Sequence, residues 1–361
     1  MVTALGRQLG EVVELGPVAP RIVVVGKVLN GMCRLFGRRY DYRHSVLLSR
    51  LYAREFRRAL ARRPIDLIFA PTAATEIAWL DTKIPIVYAT DATFALLADH
   101  YPSFTNLLEI SRLEADRIER RAIHSAALVT YPSEWAARSA IEDYGADPAK
   151  VVVAAYGPNL DVVPERKAVL ARRPPTRTDC RLLLLGVSWS RKGGPIAIEA
   201  LKALELLGVT AELVVCGCAP PSGVSHPRLR VIPFLDKDDP AERAQLYSLL
   251  QSSHILLLPT RYEAYGIVFC EASAFGVPVV ATATDGVSAA VRQGVNGLLL
   301  PREATGAEYA RVIADLVADP EQYERLAQGA RDEYETRLNW DVWARAVTKA
   351  CQPLVDGTAE T

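Results

Sequence analysis

The chain has 361 residues, half of them hydrophobic, which suits two domains at about 150 residues each. Lysine plus arginine equal aspartate plus glutamate at 42 each, so the formal net charge is zero, which argues against a general nucleic-acid role. No run approaches the roughly 18 uninterrupted apolar residues of a membrane span, no basic-then-apolar leader opens the chain, and the six cysteines are scattered without zinc-site spacing; the expectation is a reduced, cytoplasmic protein with no metal and no cofactor.

In chain order, Val2 to Gly10 reads as the tail of a helix and Glu11 to Leu15 as a strand. An α/β domain normally opens with a strand and a Gly-rich turn ahead of its first helix, and neither precedes Thr3. Either the domain starts unusually or its initial strand and Gly-rich loop are missing, and the second is the expectation. Arg21 to Gly26 (RIVVVG) predicts a second strand on β-branched content. Residues 34–63 hold ten arginines against Asp41 and Glu55, and Leu48, Tyr52, Phe56 and Leu60 recur every fourth residue, an amphipathic helix with a basic face. Two readings stay open for the segment 44–63: its apolar stripe packs on a sheet and its charges are solvated, or it contacts anionic headgroups or an acidic acceptor.

Asp66 to Ala70 and Pro85 to Thr90 predict buried strands, and Asp91, Thr93 and Phe94 follow the second. Asp91 either orients a substrate hydroxyl or caps the next helix. A helix is expected over 106–126, a strand at Leu128 to Tyr131, Ser133 as N-cap of a helix from Trp135 to Tyr144, and a strand at Val151 to Ala155. Residues 162–179 gain proline and arginine and read as a linker. The βα alternation then restarts: strand Arg181 to Gly186, WSRKGG (189–194), helix Pro195 to Leu207, strands Val209 to Cys216 and Leu229 to Pro233, and helix Glu242 to Ser252. Next comes a βαβ unit, with strand Ile255 to Leu258, loop Thr260 to Gly266, helix Ile267 to Phe275 and strand Val279 to Thr282. A short strand (294–300) and helices over 306–318, 320–337 and Trp340 to Cys351 end the chain, and residues 338–361 are expected to cross back to the first domain. The domains are therefore 1–165 and 178–337.

Three features suggest chemistry. Lys192 sits between Arg191 and Gly193-Gly194, after a strand and before a helix, a setting for a phosphate or for an ordinary turn. Tyr265-Gly266 opens a second helix N-terminus, and two such termini with one lysine fit a diphosphate. Glu263 and Glu271 would repel a diphosphate but suit sugar hydroxyls, Glu271 those of a ribose and Glu263 those of a second sugar.

Residues 181–301 resemble the retaining nucleotide-sugar glycosyltransferases with two Rossmann-like domains facing across a cleft (GT-B). This is the glycosyl transferases group 1, a broad set that includes glycogen synthase, sucrose synthase and bacterial mannosyltransferases. The likeness rests on the E-x7-E pair Glu263 and Glu271 within PTRYEAYGIVFCEASAFGVPVVAT, on TDGVSAAVRQGVNGLLLP (284–301) and on LGVSWSRKGGPIAIEAL (185–201). The first domain matches more loosely, through PIVYATDATF (85–94), YPSEWAARSAIEDYG (131–145) and AYGPNLD (155–161).

The resemblance implies transfer of a sugar from a UDP- or GDP-linked donor to a glycan or lipid-linked acceptor, with retention and without a metal, and no nucleic-acid partner. Lys192, Glu263 and Asp91 would be the catalytic residues. Arg191, Gly193, Phe234, Tyr265, Gly266, Ile267, Glu271, Asp285 and Gly286 would bind the donor, with the base near Pro233-Phe234. The location implied is cytoplasmic, with a peripheral membrane contact through the Arg-rich helix. Departures are Val187-Ser188 where relatives carry an arginine, for which Arg191 is the near substitute, and Thr90 where relatives place a histidine before the aspartate. The competing class is a sugar-nucleotide-binding protein that no longer catalyses. A nicotinamide dehydrogenase lacks its G-x-G-x-x-G fingerprint here.

Overall fold

A computed structural model describes residues 1–16 and 22–356. The chain divides into two compact units, one of residues 1–154 with the chain from Trp343 onward, the other Ala155–Val342. Both are built on parallel sheets.

The first unit carries β1 (Ile68–Pro71), β2 (Ile86–Ala89), β3 (Leu128–Tyr131) and β4 (Val151–Val153), paired in that order and all parallel. Strands β2 and β3 are buried at every position, as parallel strands covered on both faces must be. Helix Val46–Leu60 turns Leu48, Ala53 and Leu60 inward, and Arg50, Arg117 and Arg121 lie over the Trp79 ring. Ser133 caps helix Glu134–Glu142, its hydroxyl accepting the Ala136 N–H, as expected. The last helix, Trp340–Asp356, sets Trp343 edge-on to Phe69 of β1.

Two expected strands are not strands. Residues 11–16 form no regular element, and the VVV run belongs to helix Ile22–Arg34; Arg21 lies outside the described residues. β-branched content alone suggested extension there, but Gly26 sits against the Tyr42 ring and Asn30 accepts the Tyr40 N–H at 3.1 Å, contacts that need a helical turn between them.

The second unit holds β5 (Cys180–Leu185), β6 (Ala211–Cys216), β7 (Leu229–Ile232), β8 (Ile255–Leu258), β9 (Val279–Thr282) and β10 (Gly297–Leu300). Their order across the sheet is β10-β9-β8-β5-β6-β7, all parallel. This is the doubly wound order in which successive strands run outward from β5 to one edge and then from β8 to the other. The direction reverses between β5 and β8, the switch point outside whose strand ends open α/β sheets bind their ligands.

The stretch expected as a linker is docked on this unit. Helix Arg166–Leu170 buries Val169, and Arg331 donates to the Pro164 carbonyl at 2.9 Å. Arg172 donates to the carbonyls of Leu250, Ser253 and Phe275, which close helices Pro240–Ser252 and Ile267–Ala274. A guanidinium supplies the donors that helix C-termini lack, so an arginine-rich stretch that reads as solvated is held in place. No helix among the described residues is long and apolar enough to cross a membrane.

Candidate active site

The loops that leave β5 and β8 meet at the switch point. After β5 the chain makes a tight turn in which the N–H groups of Lys192, Gly193 and Gly194 donate to Ser188, Ser190 and Trp189 carbonyls. Gly193 has φ +77, and a Cβ there would run into the Pro259 carbonyl at the end of β8, so a side chain is excluded on both counts. Helix Gly194–Leu206 starts from this turn with Pro195 in its first turn.

Two cations of the β5 loop reach the β8 loop. Lys192 Nζ donates to Glu263 Oε2, and Arg191 Nη1 lies 3.4 Å from the same oxygen and 3.0 Å from the Tyr262 carbonyl. Backbone contacts fasten the loops: the Arg191 carbonyl accepts the Arg261 N–H at 2.8 Å and the Thr260 hydroxyl at 2.9 Å. Lys192 is 6% exposed and Glu263 7%, so the pair is nearly desolvated. A carboxylate in such a place needs its cation, and the cation its carboxylate or another anion. The loop after β9 joins them, as Asp285 Oδ2 accepts the Glu263 N–H at 2.9 Å and Gly286 N–H donates to the Glu263 carbonyl at 3.2 Å. Asp285 is held at φ +47, an uncommon state for a residue with a Cβ.

Gly266, at φ +85, is the N-cap of helix Ile267–Ala274 and has no capping side chain. Its neighbour Phe269 occupies the space a Cβ would need. The first N–H groups of this helix are therefore available to an anion.

Glu271 is 3% exposed in the same helix, and its pKa is raised by burial, opposed by Lys237. Lys237 Nζ donates to Glu271 Oε1 and, at 3.3 Å, to the Asn159 carbonyl, and the Asn159 N–H also supports the carboxylate. Lys237 follows β7, so it too comes from a carboxyl-end loop. No sequence signal marks it, because a lysine in LDKDD reads as solvated charge.

Residues expected in one site are thus gathered at one end of one sheet, from the loops after β5 (Arg191, Lys192, Gly193), β7 (Phe234), β8 (Glu263, Tyr265, Gly266) and β9 (Asp285, Gly286), with Ile267 and Glu271 in the helix after β8. Phe234 is 63% exposed, open to a planar partner. Tyr265 differs from expectation. Its side chain is buried, with its hydroxyl donating to the Tyr156 carbonyl at 3.1 Å and its ring edge-on to Tyr156, so it anchors residues 155–159 rather than lining the crevice. Asp91 lies in the first unit, just after β2. The helix that follows it, Phe94–Leu97, has Thr93 at its N-cap position with no side-chain cap bond.

The sequence matches the family model "Glycosyl transferases group 1" over residues 239–333 and the model "Glycosyl transferase 4-like domain" over residues 8–157. The D-inositol 3-phosphate glycosyltransferase of Thermobispora bispora is 29% identical over 226 residues, 58% of this chain and 51% of that protein. The chain spans about half the length of the curated relatives it matches. Among solved structures, a glycosyltransferase from Rickettsia africae aligns with a TM-score of 0.60 at 15% identity, over 86% of this chain and 82% of its own. Anabaena Alr3699/HepE, solved in complex with UDP, aligns with a TM-score of 0.63 at 19% identity, over 83% of this chain and 82% of its own. These likenesses carry the fold, the α/β architecture with parallel sheets of GT-B glycosyltransferases.

Proposed function

The chain belongs to the family of glycosyl transferases group 1, and from that premise we propose that it moves a sugar from a nucleoside-diphosphate donor, UDP- or GDP-linked, to a glycan or lipid-linked acceptor with retention of configuration. The observation that carries this reading is the buried Lys192–Glu263 pair at the crevice between β5 and β8.

The pair holds a cation and a hydroxyl acceptor in register before any donor arrives. As the bond from the anomeric carbon to the diphosphate breaks, its electron pair leaves with the diphosphate and negative charge grows there, while the acceptor hydroxyl oxygen bonds to the anomeric carbon and its proton passes to the departing diphosphate. Lys192, Arg191 and the free N–H groups at Gly266 and Ile267 meet that charge without rearranging, which lowers the barrier. The cations used in this step are the protein's own, the basis for reading it as metal-independent. Glu263, released from Lys192 by the incoming phosphate, accepts hydroxyls of the transferred sugar. Glu271 accepts the ribose diol in place of Lys237, Phe234 stacks on the base, and Asp285 with Gly286 steadies the Glu263 loop. Asp91 in the first unit is assigned to orienting an acceptor hydroxyl. The arginines of helix Val46–Leu60 favour an anionic acceptor or headgroup, since the apolar stripe of that helix is spent on the core.

Release of UDP or GDP from a panel of nucleotide sugars, in the presence of glycan and lipid-linked acceptors, tests this reading, with the anomeric proton coupling of the product reporting retention. Tight nucleotide binding with no release from any donor would move the chain to the class of non-catalytic sugar-nucleotide binders.

A further inference from the structure

Helix Ile22–Arg34 is docked inside out. On its inner face Gly26 is buried against Tyr42 and Asn30 accepts the Tyr40 N–H, with Ile22, Val23 and Cys33 half-buried beside them. Its outer face carries Val24, Val25, Val28, Leu29 and Met32, all exposed, and the turn beyond adds Leu35 and Phe36, each 84% exposed. These positions recur every three to four residues, so they form one continuous apolar stripe. A helix packed on a globular core turns such a stripe inward, and a stripe of seven large apolar groups facing water marks a contact surface.

Charge narrows the partner. From Ile22 to Tyr40 the chain has Lys27, Arg34, Arg38 and Arg39 and no acidic residue. Lys27, Arg34 and Arg38 are exposed, while Arg39 is tied to the Pro102 carbonyl. A second copy of the chain meeting this face about a two-fold axis would bring two such cation sets together with no acid between them, which is repulsive. An anionic bilayer offers hydrocarbon to the stripe and phosphates to its cations at once. We propose that the segment 22–36, with Arg38, is a membrane-docking element that lies in the interface of an anionic bilayer. The stripe enters the acyl boundary, and Lys27, Arg34 and Arg38 rest on headgroup phosphates. This moves the membrane contact from the arginine-rich helix, which offers charge without insertable surface, to the helix before it. The proposal does not depend on the transfer reaction.

The test is co-sedimentation of the full chain with phosphatidylcholine vesicles, with and without phosphatidylglycerol. Binding is expected on the anionic vesicles only, falling as salt rises, and not displaced by free inorganic phosphate. Leu35→Glu with Phe36→Glu should weaken it by about tenfold or more, and Arg34→Glu with Arg38→Glu should weaken it on anionic vesicles. All four residues are exposed, and thermal melting checks that the variants fold. Nucleotide release with a soluble acceptor should be unchanged in the Leu35/Phe36 variant, so loss of membrane binding and loss of catalysis are read separately. Equal sedimentation of wild type and both variants, displacement by inorganic phosphate, or no sedimentation on any vesicle would overturn the proposal. So would a concentration-dependent dimer abolished by Leu35→Glu and Phe36→Glu, which would assign the stripe to a second copy.

Discussion

Lys192 and Glu263 form a nearly desolvated pair, with Arg191 Nη1 3.4 Å from the same carboxylate oxygen. Removing the lysine alone leaves the buried carboxylate with Arg191 beside it, so the cost lies toward the lower end of the roughly 3–5 kcal/mol for breaking a buried pair. Lys192→Met is therefore expected to lower the melting temperature of the second unit, while Lys192→Met with Glu263→Gln, which removes both charges, restores most of the loss without restoring turnover. Scanning calorimetry with a turnover assay separates the two roles. Lys192→Ala should reduce kcat/KM by about a hundredfold or more, the scale of losing a preorganised charge on a leaving group. Lys237 and Glu271 form the second pair, with Lys237 partly in solvent. A double-mutant cycle with Lys237→Met and Glu271→Gln should show coupling of about 1 kcal/mol or more; additivity would mean that the lysine does not neutralise Glu271 at the proposed ribose site. Glu263 and Glu271 were legible because a loop acid and a helix acid among small apolar residues stand out at a strand end. Lys237 was not, because its role depends on the loop after the edge strand β7 reaching helix Ile267–Ala274, a neighbourhood that exists only in three dimensions.

Among the elements, the parallel strands announced themselves. ILLL and LLLL are unbroken apolar runs and VVAT nearly one, as strands covered on both faces read, and helix starts were marked by Ser133 and Pro195. Helix Ile22–Arg34 was misread as a strand because its exposed face is made of valines. In a stripe that faces away from the core, hydrophobic content no longer signals which side is buried. The Arg172 segment was misread for the complementary reason, since arginine and proline signal solvent unless helix ends await the guanidinium. Arg172→Leu should unfold the second unit at lower temperature, by about 2 kcal/mol or more, because hydrogen bonds from a charged donor to three carbonyls are lost. A melting temperature equal to wild type would show that water replaces the guanidinium without loss.

For the molecule as a whole, the two units carry different liabilities. Glu119 in the first unit is buried, with Tyr88 donating to it, and burial raises its pKa to about 7 against an ordinary 4.5, with His44 opposing. A raised carboxyl pKa means that the folded state holds its proton more tightly than the unfolded one. That contribution to stability is complete below pH 4.5 and is lost as pH rises through about 7. Glu119→Gln should flatten the pH dependence of unfolding across that window, read by melting from acid to neutral pH; an unchanged slope would place the titration elsewhere. The second unit's topology concentrates the residues proposed to meet the donor at the carboxyl ends of β5, β7, β8 and β9, and the alternation of strands and helices along the chain already implied that end. The strand order, and with it the crevice between β5 and β8, came only from the fold.

The most direct measurement of the donor site is calorimetric titration with UDP, GDP and their nucleosides. The diphosphate is expected to bind about a hundredfold tighter than its nucleoside, close to 3 kcal/mol. Lys192→Ala should erase most of that difference, and Glu271→Gln should weaken nucleotide and nucleoside alike. Equal affinity of diphosphate and nucleoside for the wild type, or a Lys192→Ala loss shared equally by both, would contradict a site built around Lys192 at the β5–β8 crevice.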